Sequence, residues 1–263
     1  MEEGLMQSFE DNVVCDKNSY FSHSVLQDLV ESRFPEHPFS NLRETKEQLK
    51  GLLSEYLAMS MAFPYIQAGA CGPFVLDSIK SNRPIRKEYE LTSVVGSFLV
   101  WDELGGWFNT VQRGARGLSK ILDTRAFHAN VLGNDLKNIF GEEIKPNFGP
   151  QTQKYLISLQ EHLSSSDDIQ RCAAMVSFEL HAERMITELW ESVQKICEVE
   201  KNKLRYFAAH VGGDDPAEAY HVKMTESLIE MLTLGKSDHF EKTFLDIYQL
   251  HINWCQSLVK RFI

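Results

Sequence analysis

Glycine and proline, the residues that punctuate a chain of many short strands, are scarce in this sequence. Only 15 glycines and 8 prolines occur among its 263 residues, and no segment shows the alternating pattern of a half-buried strand. A β-sandwich or barrel needs many turns built from these two residue types. Their scarcity therefore argues against an all-β fold.

Paired cysteines and common catalytic motifs are absent too. The five cysteines are scattered and form no CxxC pair, which predicts neither a zinc knuckle nor a disulfide framework. We expect Cys172 and Cys197, which lie in helical patterns, to be buried free thiols. The chain has no P-loop, no GxGxxG after a strand, no GxSxG elbow and no HExxH pair. No catalytic residue can be assigned from such motifs.

Long apolar runs and clustered positive charge are missing as well. The sequence has no stretch of 18 apolar residues and no apolar segment like that of a signal peptide, so we expect a soluble cytoplasmic protein without a membrane partner. The formal net charge is −10, and the longest basic cluster, Arg83 to Lys87, is broken by Pro84. Because phosphate binding needs a concentrated basic face, no nucleic-acid partner is expected.

Helical periodicity, in contrast, recurs from end to end. Hydrophobic residues make up 43% of the chain, enough for a sizeable core, and no linker divides it. The pattern predicts an all-α bundle of about seven to nine helices that forms one domain over residues 1–263. The longest predicted helix runs from Asp168 to Lys201. Its stripe follows the helical period of about 3.6 residues and consists of Cys172, Val176, Leu180, Glu183, Thr187, Trp190 and Gln194.

Two glutamates fall on helix faces that should be apolar. Glu183 lies within that stripe, and Glu103 has Leu99 and Trp107 one turn to either side. Charged side chains are rarely buried unless they are paired or bind a metal. Glu183 could instead form a buried ion pair, for example with Arg184, and Glu103 could end its helix in solvent. The two glycines that follow Glu103 would let another backbone approach it closely.

The densest group of polar residues lies between His210 and His221. Glu218 and His221 are spaced i, i+3 on a predicted helix with Asp214 one turn earlier, so all three are expected on one face. A Glu-x-x-His pair is the ligand unit of di-iron bundles. His210 precedes a glycine break and could reach the same point. Capping by the aspartates is the simpler explanation, but it leaves the two histidines unexplained.

The candidate ligands are thus carboxylates and imidazoles. Such a set, without a thiolate, suits iron or manganese better than structural zinc. His128, beside Phe127 in a predicted helix, is a further candidate, although a hydrogen-bonded core histidine would look the same. Two metals need roughly six side chains, which no single helix can supply. The prediction therefore requires ligands from four helices to converge.

Other conspicuous residues are expected elsewhere. His181 and Glu188 fall on the polar side of their helix, and we expect them to face solvent. His251 fits the core or a pocket wall. Candidates for the aromatic walls of a substrate pocket are Phe98, Trp107, Tyr220 and Trp254.

Several short segments resemble those of the haem-oxygenase-like di-iron oxidases, the superfamily that includes the chlamydial protein associating with death domains (CADD) and shares its fold with TenA and PqqC. Phe98-Leu-Val-Trp-Asp-Glu103-Leu-Gly-Gly is similar to the segment with the first Glu ligand, and Phe127-His128-Ala-Asn-Val-Leu to the segment with the first His. Glu183-Arg-Met-Ile-Thr resembles the family's Glu-x-x-Ile-Pro turn. Glu218-x-x-His221 resembles the end of its His-x-x-x-Asp-x-x-His helix. The resemblance covers roughly residues 90–260.

The resemblance implies a haem-oxygenase-like bundle that binds two irons, or manganese, and activates O2 to oxidise a small organic substrate. Its implied metal ligands are Glu103, His128, Glu183, His210, Asp214, Glu218 and His221. Two of these ligand assignments stay open. Asp214 stands four residues before Glu218, where the family has His, so either His210 precedes a local insertion or Asp214 has replaced it. Glu179 is the alternative to Glu183, and of the two we favour Glu183.

Other functions stay open beside this one. A TenA-like hydrolase without metal needs a cysteine nucleophile, which Cys172 or Cys197 could supply only if it faced the pocket beside a glutamate. A non-catalytic member of the same fold would bind a ligand. Haem binding is less favoured, since no proximal histidine is evident near the N-terminus other than His23 and His37. We allow for a homodimer, and the substrate is not indicated.

Overall fold

The computed structural model describes residues 21–40, 42–43, 45–114, 117–233 and 237–262. Eleven α-helices occupy these residues, and no strand is found among them. The helices are α1 (His23–Arg33), α2 (Lys46–Gly69), α3 (Gly72–Lys80), α4 (Lys87–Glu103), α5 (Leu118–Ile121), α6 (His128–Phe140), α7 (Pro150–Leu163), α8 (Asp168–Cys197), α9 (Arg205–Val211), α10 (Glu218–Thr233) and α11 (Ser237–Phe262). A π-helical turn (Trp107–Gln112) and two 3-10 turns (Thr124–Ala126 and Lys201–Lys203) connect them.

The predicted all-α class is confirmed, but the helix count exceeds the seven to nine expected. Short helices account for the excess: α5 has four residues, too few for a hydrophobic period to reveal it. None of the described helices is both long and apolar enough to cross a membrane. Of the two thiols expected to be buried, Cys172 lies in the core and Cys197 is half-buried.

The bounds of α2 and α3 follow from local residue chemistry. The Thr45 hydroxyl accepts a hydrogen bond from the backbone N–H of Gln48, whose side chain accepts from the backbone N–H of Thr45. This reciprocal capping box starts α2. The helix ends at Gly69, and α3 begins three residues later, at Gly72, with Pro73 in its first turn, where a missing N–H costs nothing.

Gly105 brings the end of α4 against the turn that leads into α6. Its φ of 73° lies in the left-handed region that favours glycine. A Cβ atom at this position would lie 2.7 Å from the carbonyl oxygen of Ala126. The close approach of another backbone that the sequence predicted is found at Gly105. It places Glu103, the last residue of α4, beside His128, the first residue of α6.

The long helix α8 lies at the centre of the bundle. α10 and α11 pack along it, and α2, α4, α7 and α9 also contact it. Because of this packing, every residue from Arg171 to His181 is buried. The predicted exposure of His181 is therefore wrong: this side of α8, read as polar, is covered by α11, and the residue is 1% exposed.

α10 begins later than the sequence pattern predicted. Oδ1 of Asp215 accepts a hydrogen bond from the backbone N–H of Ala217 at 2.9 Å, which fixes a turn before the helix begins at Glu218. Asp214 precedes this turn and is exposed. The prediction that it shares a helix face with Glu218 and His221 is wrong, because residue 214 is not part of the helix.

Candidate metal centre

Five helices converge at one point in the interior, and each brings a carboxylate or an imidazole to it. None of the six side chains is more than 17% exposed. They are Glu103 at the end of α4, His128 at the start of α6, Glu179 within α8, His210 within α9, and Glu218 and His221 in the first turns of α10. Ligand-type residues distant in sequence are thereby brought together.

Asp135 of α6 fixes the position of the short helix α9. Its Oδ2 atom accepts a hydrogen bond from the backbone N–H of Tyr206 at 2.8 Å, which satisfies one of the free N–H groups of the first turn. Burial raises the pKa of Asp135 to about 6. Since His128 and Asp135 share α6, this bond also fixes His210 relative to His128.

One group of facing atoms is formed by Glu103, His128, His210 and Glu218. Nδ1 of His128 lies 3.5 Å from Oε2 of Glu103, and Nε2 of His210 lies 3.6 Å from Oε1 of the same carboxylate. Oε1 of Glu218 lies 3.8 Å and 3.6 Å from these two nitrogens. One ligand atom from each of the four residues lies within 4.8 Å of the other three. One metal ion could bind all four after small side-chain rotations.

A second group lies on the other side of Glu218. Nδ1 of His221 is 3.3 Å from Oε2 of Glu218 and 3.3 Å from Oε2 of Glu179. The two oxygens of Glu218 therefore face different groups: Oε1 faces His128 and His210, and Oε2 faces His221. A carboxylate in this position can bridge two metal ions.

Each of the three histidines directs one ring nitrogen inward and the other to an oxygen atom. Nδ1 of His210 donates to the backbone carbonyl of Tyr206 at 2.9 Å. Nε2 of His221 donates to Oδ2 of Asp102 at 3.0 Å. Nε2 of His128 faces Oδ2 of Asp215 at 3.8 Å. Such outer acceptors fix the tautomer and ring orientation of metal-binding histidines.

The carboxylates raise the pKa values of these histidines. Burial opposes the protonation of His210, but Glu218 and Glu103 outweigh it and raise the pKa of His210 to about 9. The same balance of burial against carboxylates raises the pKa values of His128 and His221. Burial in turn raises the pKa of Glu218. The centre thus has a negative potential that either protons or cations can neutralise.

Five of the seven predicted ligands are brought together: Glu103, His128, His210, Glu218 and His221. Glu183 and Asp214 are not. The Glu183 side chain is 54% exposed, and its Oε2 lies 3.7 Å from Nε2 of His23. Asp214 is exposed at the break before α10. Of the alternatives left open by the sequence, Glu179 and His210 lie in the centre.

Sequence reasoning missed the outer carboxylate of Asp102, which has no exposed surface. A signal was available, since Asp102 follows Val95 and Leu99 at intervals of seven and three residues and so continues their buried face. Asp215 was considered only as a helix cap. Its side chain does fix the turn before α10, but its second oxygen faces His128.

A cavity of about 590 Å³ adjoins the centre. Its inner wall is apolar, and its polar wall includes Glu103, Glu179, His210, Glu218 and His221. The aromatic residues that line it are Tyr56, Phe63, Phe178 and Tyr206. The residues predicted for this role, Phe98, Trp107, Tyr220 and Trp254, do not line it, so that prediction is wrong. Phe98 instead packs edge-on against His221, with ring centroids 5.8 Å apart.

A separate group of His37, His181 and Cys255 is buried in the core, with ligand-type atoms within 4.8 Å of one another. Nδ1 of His37 accepts a hydrogen bond from the backbone N–H of Phe39 at 3.1 Å. Its Nε2 therefore has the proton, which it donates to Nε2 of His181 at 3.2 Å. Hydrogen bonding within the core accounts for this group.

The comparisons with known proteins identify the fold. The sequence matches no protein-family model and no curated protein. Two crystal structures of a CADD-like protein of unknown function from Nostoc punctiforme are similar to this chain, with TM-scores of 0.66 and 0.61 at 12% and 11% identity. The alignments cover 92% and 91% of this chain and 97% and 94% of those chains. The chain therefore has the haem-oxygenase-like fold of CADD-like proteins.

Proposed function

We propose that this protein is a non-haem di-iron oxidase or oxygenase that activates O2 to oxidise a small organic substrate. The observation that carries the proposal is the arrangement of the three histidines, each with one nitrogen inward and the other facing an oxygen atom. Histidines that are merely packed in a core need not direct a nitrogen towards one common point. Metal-binding histidines do so, and an oxygen acceptor on the other nitrogen fixes the orientation of each ring.

The residues present fit a pair of metal ions. Oε1 of Glu218 is buried and has no hydrogen-bond partner, and the same is true of Oδ1 of Asp102. An unsatisfied buried carboxylate oxygen is costly. A cation bound between His128, His210 and Glu218 would satisfy the oxygen of Glu218. The mixed oxygen and imidazole donors suit iron, with manganese as the alternative metal.

The ligands divide unequally between two positions. Glu103, His128, His210 and Oε1 of Glu218 would hold the first ion. Glu179, His221 and Oε2 of Glu218 would hold the second, with one ligand fewer. Because the first position has more ligands, we expect it to fill first and to bind its ion more tightly.

Two irons in such a site supply O2 activation and the electrons for oxidation. The chain's own residues supply the surroundings. Met59, Phe63 and Phe178 are buried and give the cavity beside the centre an apolar wall. The hydroxyls of Tyr56 and Tyr206 lie 2.8 Å apart in the same wall and share one hydrogen bond. The substrate would thus lie against an apolar wall next to the metal ligands.

The metal-free hydrolase has less support. A TenA-like mechanism needs a cysteine facing the pocket, and none of the four described cysteines lines this cavity. Burial also raises the pKa values of the Cys172 and Cys255 thiols, which disfavours the reactive thiolate. A non-catalytic protein that binds a ligand in the cavity is the remaining alternative, and it would consume no O2.

Metal loading tests the proposal. Protein loaded anaerobically with Fe(II) and desalted is expected to hold about two irons per chain and to consume O2. His128→Ala should lose the first ion, and Glu218→Ala should lose both, because Glu218 faces both positions. His239→Ala, which replaces an exposed histidine, is the matched control and should load like the unmodified protein.

Two results would contradict the proposal. The first is well under one iron per chain after loading under several conditions. The second is iron binding by His128→Ala and Glu218→Ala that equals that of the His239→Ala control. Full loading without any O2 consumption would instead favour the ligand-binding alternative.

A further inference from the structure

The cavity beside the centre has an apolar interior and a carboxylate, that of Glu183, at its opening. Its interior includes Met59, Phe63, Phe178, Met185 and Ile186, all less than 7% exposed. Its opening is formed by exposed residues of α8 and of the segment before α10: Glu183, Thr187, Gly213 and Pro216. The ligand of such a cavity should have an apolar body and a polar group at one end.

Among the described residues, no lysine or arginine lines the cavity. The nearest arginine in sequence, Arg184, points elsewhere and donates to the backbone carbonyls of Phe34 and Pro35. A carboxylate or phosphate group is normally held by such side chains, most often by arginine. The described wall therefore offers an anionic group neither a guanidinium nor an ammonium, and the imidazole of His23, which also lines the cavity, already faces Glu183.

Glu183 is the charged side chain at the opening. It is 54% exposed, and its Oε2 lies 3.7 Å from Nε2 of His23. Glu183 follows Glu179 by one turn of α8, a rise of about 6 Å. A cation held by Glu183 would therefore have its apolar chain lying towards the metal ligands.

With two divalent ions bound, the centre would still have a net negative charge. Two divalent ions supply four positive charges. The carboxylates that surround them number five: Asp102, Glu103, Glu179, Asp215 and Glu218. With Glu183 at the opening, the potential in the cavity favours a cation.

We propose that the substrate is an amine with an apolar body, whose ammonium group binds Glu183 at the opening while its chain fills the apolar interior. This inference rests on the proposed function in taking the cavity as the substrate site. It assigns Glu183, predicted from sequence as a metal ligand, to substrate binding.

Binding of three probes of equal chain length tests the inference: octylamine, octan-1-ol and octanoate. Each is titrated calorimetrically into the full chain, both metal-free and loaded with Fe(II) without O2. Octylamine is expected to bind several-fold more tightly than the alcohol, and octanoate more weakly than both. Glu183→Gln should weaken octylamine binding about threefold to fivefold, as expected for a partly exposed ion pair, and leave octanol unchanged.

Glu188→Gln is the matched control, since Glu188 lies on the same helix but does not line the cavity. Octanoate binding as tightly as octylamine would overturn the inference. So would equal octylamine affinities for Glu183→Gln and Glu188→Gln, which would place the ammonium group among the centre's own carboxylates or on the surface. The titration of metal-free protein tests the amine proposal separately from the di-iron proposal. The same order of affinities is expected there even if the chain binds no iron.

Discussion

Nε2 of His221 lies 3.0 Å from Oδ2 of Asp102, and the carboxylate of Asp102 has no exposed surface. The two residues belong to different helices, α10 and α4. This contact holds the His221 ring so that its Nδ1 atom faces Glu179 and Glu218. In the proposed centre, Asp102 would therefore be a positioning residue for the second metal position.

Replacing Asp102 tests that role. Asp102→Asn keeps an oxygen that can accept from Nε2 but removes the charge that increases the basicity of the ring. We expect Fe(II) or Mn(II) affinity at the second position to fall about 10-fold to 100-fold. Anaerobic calorimetric titration measures this change. Asp28→Asn, at an exposed position on α1, should have no effect, and equal affinities for the two variants would contradict the role.

A second prediction separates two glutamates one turn apart on α8. Glu179→Ala should abolish binding of the second ion, because Oε2 of Glu179 lies 3.3 Å from Nδ1 of His221. Glu183→Ala should bind as many ions as the unmodified protein, because its side chain is directed to the opening of the cavity. Metal analysis of both variants after anaerobic loading measures this. Loss of an ion from Glu183→Ala alone would restore Glu183 as the ligand.

Alanine substitutions at two glycines should change the free energy of unfolding in opposite directions. Gly105→Ala places a Cβ atom 2.7 Å from the Ala126 carbonyl oxygen at a φ of 73°, so we expect a loss of more than about 1 kcal/mol in the free energy of unfolding. Gly133→Ala, within α6, has nothing within 4 Å of the new Cβ and should stabilise the protein by about 0.5–1 kcal/mol. Urea denaturation of the metal-free variants measures both changes, and destabilisation by both alike would contradict this reasoning.

Buried histidines should make the protein sensitive to acid. Burial, with a smaller contribution from His162, lowers the pKa of His251 to about 3, and burial together with Arg184 lowers the pKa of His37 to about 3. In the unfolded chain these groups bind protons below about pH 6.5. Stability is therefore lost as the pH falls from about 6.5 towards about 3, by about 1.4 kcal/mol per pH unit for each histidine.

His251→Gln tests the contribution of one such histidine. Urea denaturation of metal-free protein between about pH 6 and 4.5 should show a shallower loss of stability, by about 1.4 kcal/mol per pH unit, than in the unmodified protein. His239→Gln replaces an exposed histidine on the same helix and should leave the slope unchanged. Parallel slopes for all three proteins would contradict the assignment of His251.

The buried hydroxyl of Thr152, which lies away from the candidate metal centre, connects three helices by hydrogen bonds. Oγ1 of Thr152 donates to Glu55 at 2.6 Å and accepts from Nε1 of Trp254 at 3.0 Å. Thr152→Val keeps the shape but leaves the indole N–H unpaired, so we expect a loss of about 1–3 kcal/mol. Thr243→Val, at a half-buried position on α11 where the hydroxyl donates to the backbone carbonyl of His239, is the control. Equal unfolding free energies for the two variants would contradict the importance of this contact.

The sequence predicted the helices well where their apolar pattern was long. The start of α8 was predicted at Asp168, which is where the helix begins. Short helices such as α5 were missed because four residues show no period. The start of α10 was misplaced because the Asp215 side chain satisfies a backbone N–H in a turn that composition alone does not distinguish from a first helical turn.

Periodicity could not show whether Glu179 or Glu183 lies in the candidate metal centre. α8 is buried on all sides from Arg171 to His181, so its apolar residues follow no single stripe there. The stripe that contained Glu183 is buried at Cys172 and Val176 but exposed at Glu183 and Thr187. Which part of a long helix is surrounded depends on its neighbours, and that is information the helix's own sequence lacks.

Glu218 would link the filling of the two proposed metal positions. Its two oxygens face different groups, so an ion at the first position would orient the carboxylate for an ion at the second. Each position would then alter the occupancy of the other. The centre would act as a cross-link between α4, α6, α8, α9 and α10, so that loss of both ions would loosen the five helices together.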